Sequence, residues 1–374
     1  EYMYYHNGKI TKKTYWSLKA QEFSDNREQA CEYVNYLVSD AINRQLVSDV
    51  PICTFLSGGL DSSIISKVAS DYMKEKDEIL STYSVDYDDN DKYFEASLFQ
   101  PNKDSDYIEL ISDYIGSNHK NVVLNNICVA DALVDSTFAR GCPGFTDIDS
   151  SLLLFCKEIV KKHKVALSGE CADEIFGGYP WYHRKEILFD DTFPWSRTTD
   201  VRHGILADGF LKHGDEYMRS AYINTVNGTD CLDTDSKVDK RMREMFKLNM
   251  DWFMQTLLCR KDAMSMEASL EVRVPFCDYR IVEYAYNMPW DIKSYGGREK
   301  GILRKAFEKE LPDEITWRKK SPYPKTFNPE YVSAVSKMVT AVLDDKSCPL
   351  YEMLNEKAVI DLIENPNALS EPWY

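Results

Sequence analysis

Residues 50–57, VPICTFLS, are mostly apolar, and from Leu60 to Met73 apolar positions recur at intervals of three and four. The first run predicts a buried strand and the second an amphipathic helix packed on it. The same pairing returns down the first half of the chain. Strands are expected at 79–87 (ILSTYSVDY), 121–125 (NVVLN) and 164–169 (KVALSG), with helical patterns at 106–116, 129–139 and 151–163. Strands alternating with helices predict a parallel, doubly wound α/β sheet. Beyond about residue 182 strand-like runs are few, and helical spacing holds over 213–226, 236–268, 279–287, 298–310 and 330–343. The pattern predicts an α/β layer at 25–182 and a mostly α-helical part at 183–374, preceded by an aromatic-rich lead at 1–24.

Composition narrows the function classes. A chain of 374 residues, 44% of them hydrophobic, can bury one large core or two ordinary ones. Acidic residues number 61 against 45 basic, a net charge of -16. Phosphate neutralisation drives nucleic-acid binding, so no nucleic-acid partner is expected; the densest basic run is only Arg318-Lys319-Lys320. The ten cysteines show no CxxC spacing, so neither a structural zinc site nor a disulfide framework is expected. A reducing cytosol is the simplest setting for them. No run reaches the roughly 18 apolar residues of a membrane span, and the first residues lack the apolar core of a signal peptide. The expected location is therefore cytoplasmic, with no membrane partner. The acidic stretch 86–91, DYDDND, reads as a solvated connection rather than a metal site.

Candidate chemistry begins where the first strand stops. TFLSGGLDSS, 54–63, carries an apolar strand into a Ser57-Gly58-Gly59 turn and then a helix near Leu60. Glycines let backbone amides approach a ligand, and a helix N-terminus adds unpaired donors and partial positive charge. Asp61 could hold Mg²⁺ against phosphates, with hydroxyls from Ser57, Ser62 and Ser63. GxxxxGK[ST], the Walker loop, does not occur. KVALSGECADEIFGGY, 164–179, repeats the design, with Glu170, Asp173 and Glu174 on a helical turn. Glu170 and Asp173, three apart, are expected on one helical face directed at the first loop. Ligands of open parallel sheets sit at such strand ends.

SGGLDSS resembles the pyrophosphate loop of N-type ATP pyrophosphatases. SGGLDSS, TYSVDY, LSGECADEIFGGY, MSMEASLEVRVPFCD, EKGILRKAF and WRKKSPY follow one another as in glutamine-dependent asparagine synthetases, a resemblance running from about Tyr15 to Tyr323. It implies a PP-loop α/β layer followed by helices, and the cofactors ATP and Mg²⁺. By the resemblance Leu56, Ser57, Gly58, Gly59, Asp61, Ser62, Val85, Ser168 and Gly169 would surround ATP, and Asp61 and Asp173 would hold Mg²⁺. Glu170 would be the catalytic carboxylate beside the acyl-adenylate, and Lys300 the cation on the α-phosphate and pyrophosphate. Arg260, Asp262 and Arg273 are assigned to structural ion pairing. The implied reaction adenylates aspartate, releases pyrophosphate and lets ammonia displace AMP to give asparagine.

The family begins with a glutaminase domain whose N-terminal Cys releases ammonia from glutamine. Here the chain begins at Glu1, and residues 1–24 resemble the connector after that domain. The expectation is a synthetase part that uses free ammonia, with the glutaminase domain of the full-length chain as its partner and a homodimer as a further possibility. Other departures touch the substrate. Where many members carry a Thr/Arg/Ser-rich stretch, this chain has GFTDIDSSLLLF, whose Asp147 and Asp149 would repel an acidic substrate unless paired. Cys171 stands where many relatives have Gly. Two alternatives follow: amidation of another carboxylate, such as a cell-wall or β-lactam precursor, or a non-catalytic ATP-binding regulator.

Overall fold

The structure, a computed structural model, describes residues 1–94, 103–197, 203–321 and 323–365. The aromatic-rich lead forms an exposed antiparallel hairpin, β1 (Tyr2–His6) and β2 (Lys9–Lys13). Asn7 and Gly8 join them with φ +48 and +75, the two-residue turn that suits the twist of a hairpin. α1 (Arg27–Gln45) starts at Asn26, whose side chain accepts from the Glu28 and Gln29 amides while Gln29 reaches back to the Asn26 amide.

The expected α/β layer follows in order: β3 (Ile52–Phe55), α2 (Leu60–Lys74), β4 (Ser81–Tyr87), α3 (Asn90–Tyr93), α4 (Ser105–Ile115), β5 (Asn118–Leu124), α5 (Asn126–Arg140), α6 (Asp147–Ile159) and β6 (Val165–Leu167). A fifth strand, β7 (Glu271–Arg273), comes from the part of the chain that reads as helical. The sheet order is β5-β4-β3-β6-β7, and every neighbouring pair is parallel. Three residues at a sheet edge, one of them apolar, are too few to leave a periodic signal, so β7 is invisible to pattern.

Alternation along the strands builds a core on each face. Ile52, Val165 and Leu167 pack with α1, α2 and the helices Tyr279–Asn287 and Gly301–Phe307. Cys53, Ala166, Tyr83 and Val85 face the other way, against α5, α6 and the helix Gln255–Glu267. Helices from both halves of the sequence thus share cores with one sheet. The pattern at 236–268 appears as the helix Lys237–Leu248, a π-helical turn at Asn249–Met254 and the helix Gln255–Glu267. Among the described residues no helix is long and apolar enough to cross a membrane.

Candidate active site

β3 and β6 are adjacent, and the chain leaves their carboxyl ends in two loops that meet. In the first, Gly58 has φ +66, and a Cβ there would lie 2.7 Å from Tyr107 Cβ and 2.9 Å from the Ile108 nitrogen on α4. Only glycine satisfies both constraints. Ser62 ties the turn together, its Oγ donating to the Gly59 carbonyl and accepting from the Ser57 amide, each at 3.1 Å. No side chain caps the first amides of α2, which leaves donors available to a ligand.

The second loop is held from below and from the side. The Ser168 amide donates to the Arg273 carbonyl at 2.9 Å, which is how β7 positions it. Gly169 lies so close to the first loop that a Cβ would come within 3.0 Å of Asp61 Cβ. Cys171 takes φ +80, the left-handed backbone that glycine favours. That kink delays α7 to Ala172–Phe176, so Glu170 lies outside the helix and does not share a helical face with Asp173. Cys171 is joined to Cys277 in a disulfide, which corrects the sequence expectation. The partners are 106 residues apart and meet only because the sheet brings their segments together.

The helical part supplies the cations. Lys300, at φ +52, directly precedes the helix Gly301–Phe307, and is buried. Its Nζ lies 2.7 Å from Asp61 Oδ2 and 2.9 Å from Asp173 Oδ1, clamping the two loops. Lys320 bonds the other Asp173 oxygen. Burial opposes the Lys300 charge, but Asp173 and Asp61 outweigh it and raise the ammonium above its usual range. Burial likewise works to raise Asp173, and Lys300 and Lys320 together reverse it and hold the carboxyl low. Asp61 keeps a net upward shift, from burial and from Asp173. Among the described residues Asp61 Oδ1 has no hydrogen-bond partner, and Asp173 Oδ1 has none beyond the charge of Lys300. Among the described residues no group of three His, Cys, Asp or Glu converges. Two carboxylates, of which Asp61 keeps a spare oxygen, fit a Mg²⁺ ion that arrives with phosphates rather than one caged by protein alone.

Arg304 moors the segment that carries Arg318 and Lys320. It is 1% exposed and donates to the carbonyls of Glu299, Thr316 and Arg318 at 2.8, 2.6 and 2.9 Å. Arg304→Met strands those buried acceptors and should lower the unfolding free energy by about 3 kcal/mol. Urea unfolding measures it; a loss under about 1 kcal/mol would mean that other contacts hold the segment.

Glu170 has a cation of its own. Lys261, 4% exposed on the helix Gln255–Glu267, places Nζ 2.7 Å from Glu170 Oε1. Burial pushes the Glu170 carboxyl up, but Lys261 overrides it and keeps it below the usual range. Among the described residues its Oε2 has no hydrogen-bond partner, so an ionised oxygen stays available as an acceptor. Glu174 behaves in the opposite sense: burial and the neighbouring Asp173 push it up to about 7, and the Tyr179 hydroxyl donates to it at 2.6 Å.

A single cavity of about 710 Å³ joins these groups. Leu56, Ser57, Gly59, Asp61, Ser62, Val85, Ser168, Gly169, Glu170, Asp173 and Lys300 all line it, whereas Gly58 lies beneath the turn against α4. Asp147 and Asp149 do not line it. Asp149 accepts from the Phe145 amide at 2.9 Å and from Arg140 Nη1 at 3.2 Å, so its charge is paired. Arg273 is structural, donating to the Gln45 and Val47 carbonyls at 2.6 and 2.7 Å. Asp262 is exposed and pairs with no cation among the described residues, contrary to its assignment from sequence. Lys261 and Lys320 were not singled out by sequence reasoning, although both sit in basic clusters, RKD and WRKK, that the chain displays.

The model of the asparagine synthase family matches residues 33–373. The chain is 48% identical over 364 residues to asparagine synthetase [glutamine-hydrolyzing] 3 of Bacillus subtilis (strain 168), covering 96% of this chain and 59% of that protein. It is 27% identical over 394 residues to asparagine synthetase [glutamine-hydrolyzing] 1 of the same organism, again covering 96% of this chain and 59% of that relative. Asparagine synthetase [glutamine-hydrolyzing] of Gallus gallus is 24% identical over 351 residues, 91% of this chain and 50% of that protein. The chain therefore spans somewhat more than half the length of the B. subtilis relatives it matches.

Proposed function

The chain belongs to the asparagine synthase family, and we propose that it activates the side-chain carboxylate of aspartate with ATP and transfers it to ammonia, giving asparagine. The observation that carries this reading is the Lys300 bridge, which joins one aspartate from each strand-end loop inside the cavity. A carboxylate is a poor acyl donor because its leaving group would be oxide. Attack of its oxygen on the α-phosphorus forms a mixed anhydride as the α–β phosphoanhydride bond breaks, and the electron pair leaves with pyrophosphate. Lys300 and the uncapped amides of α2 are the donors we assign to that negative charge, and fixed donors of this kind are usually the largest catalytic contribution.

Ammonia then adds to the acyl carbon, gives up a proton and displaces AMP. Glu170 Oε2, kept ionised by Lys261, is the acceptor we assign to that proton. Mg²⁺, when bound, would screen the polyphosphate charge, with Asp61 and Asp173 as its protein ligands. A glutaminase domain that supplies ammonia from glutamine in the full-length protein belongs to the same proposal.

The test is pyrophosphate release from MgATP and ammonium chloride, with and without L-aspartate, with product identified by chromatography. Aspartate-dependent pyrophosphate together with asparagine is expected. Release with a different carboxylate alone would keep the chemistry and change the substrate. Silence with every carboxylate, from protein that still binds ATP, would favour a nucleotide-binding regulator.

A further inference from the structure

Arg260 is 6% exposed, yet it lines the cavity, and among the described residues its Nε has no hydrogen-bond partner. Its nearest anion is Asp149, whose Oδ1 lies 3.9 Å from that Nε, outside hydrogen-bond distance, while the other oxygen, Oδ2, is engaged by Arg140 and the Phe145 amide. The guanidinium carbon lies 5.7 Å from the Phe145 ring centre and 5.8 Å from that of Tyr323, both also on the cavity wall. A buried guanidinium nitrogen without a hydrogen bond is costly. Two aromatic faces hold this one in place, and the partner that would complete it is a planar, doubly accepting anion such as a carboxylate.

Position selects which anion. Arg260 precedes Lys261, the partner of Glu170, and acts on the Glu170 charge itself. The loops that would take phosphates are served instead by Lys300 and Lys320 on the Asp61–Asp173 side. We propose that Arg260 anchors the α-carboxylate of the amino-acid substrate, holding its side-chain carboxylate beside Glu170, with Asp149 as a positioning residue behind it. The inference rests on the proposed function and deepens it, because it names the group that would distinguish an amino-acid substrate from a simple carboxylate. It also replaces the purely structural role expected for Arg260.

The experiment uses the whole chain and pyrophosphate release, comparing L-aspartate with its α-amide, which lacks only the recognised charge. In the wild-type protein the α-amide should raise KM about 100-fold, the scale expected for losing one partner of a desolvated charged pair. Arg260→Gln should raise the KM for aspartate by a similar factor, leave the KM for ATP within about threefold, and lose the preference for aspartate over the amide. A merely structural arginine would weaken both substrates alike and keep the preference. Arg260→Lys, which retains charge but not the fork, gives the same comparison if the glutamine variant does not fold. Equal KM values for aspartate and its α-amide in the wild type would overturn the inference without any variant, as would an Arg260→Gln effect confined to ATP. No turnover of aspartate by the wild type would instead defeat the proposed function, and the inference with it.

Discussion

Lys300→Met is expected to lower pyrophosphate release about 1,000-fold, at the upper end for removal of a single preorganised charge-stabilising group. The wild-type ammonium is buried within 2.7 and 2.9 Å of two carboxylates that come from different loops. Methionine matches its length but removes the charge, leaving Asp61 and Asp173 to repel each other in a desolvated site where, among the described residues, only Lys320 still pairs with Asp173. A folding penalty of about 3 kcal/mol is expected alongside. Its pH dependence follows from the shifts. Asp173 is depressed in the fold, so its stabilisation is present above the unfolded carboxylate range and lost as pH falls through the lower folded value. Lys300 is raised, so its share is present below the unfolded lysine range and lost as pH rises through the higher folded value. The gap between wild type and variant should therefore be widest at neutral pH and close in acid and strong alkali. Urea unfolding across pH checks this, and a pH-independent gap would show that packing dominates.

Glu170→Gln is the second large effect, with kcat for asparagine formation falling about 1,000-fold if the carboxylate accepts the ammonia proton. Lys261→Met separates charge from chemistry. It deletes the cation 2.7 Å from Glu170 and leaves burial, which raises the carboxyl, as the principal influence. The acidic limb of the kcat–pH profile should move to higher pH, with activity recovering as pH rises, whereas Glu170→Gln recovers at no pH. An unmoved limb in Lys261→Met would remove Glu170 from the proton-transfer step. Both variants should still bind ATP, which equilibrium dialysis can verify.

Part of the site was legible because it is local. In SGGLDSS the turn, the uncapped helix start and Asp61 lie within seven residues, and the backbone itself imposes their proximity. The second loop was legible for the same reason, except at Cys171. Its positive φ takes Glu170 off the α7 face, and nothing in a helical reading of that stretch anticipates a kink at cysteine. Lys261 went unrecognised for a different reason, and Arg260 was assigned only to structural ion pairing. Both sit on a helix of mixed character, and their significance lies in partners 91 and 111 residues earlier, Glu170 and Asp149.

By itself the sequence determined what depends on short range: the alternating elements, the two glycine-bearing strand ends and the order of the family's motifs, which made Asp61, Glu170, Asp173 and Lys300 candidates. Hydrophobic period and turn chemistry act over a few residues, so they survive in one dimension. Only the tertiary structure decided that β7 closes the sheet beneath Ser168, that Cys171 meets Cys277, and that one lysine clamps two loops while another keeps Glu170 ionised. Burial and charge pairing depend on which distant segments the sheet brings together. The same aspartate that reads as a repulsive intruder in GFTDIDSS becomes a paired support for Arg260 once the helix Gln255–Glu267 packs across it.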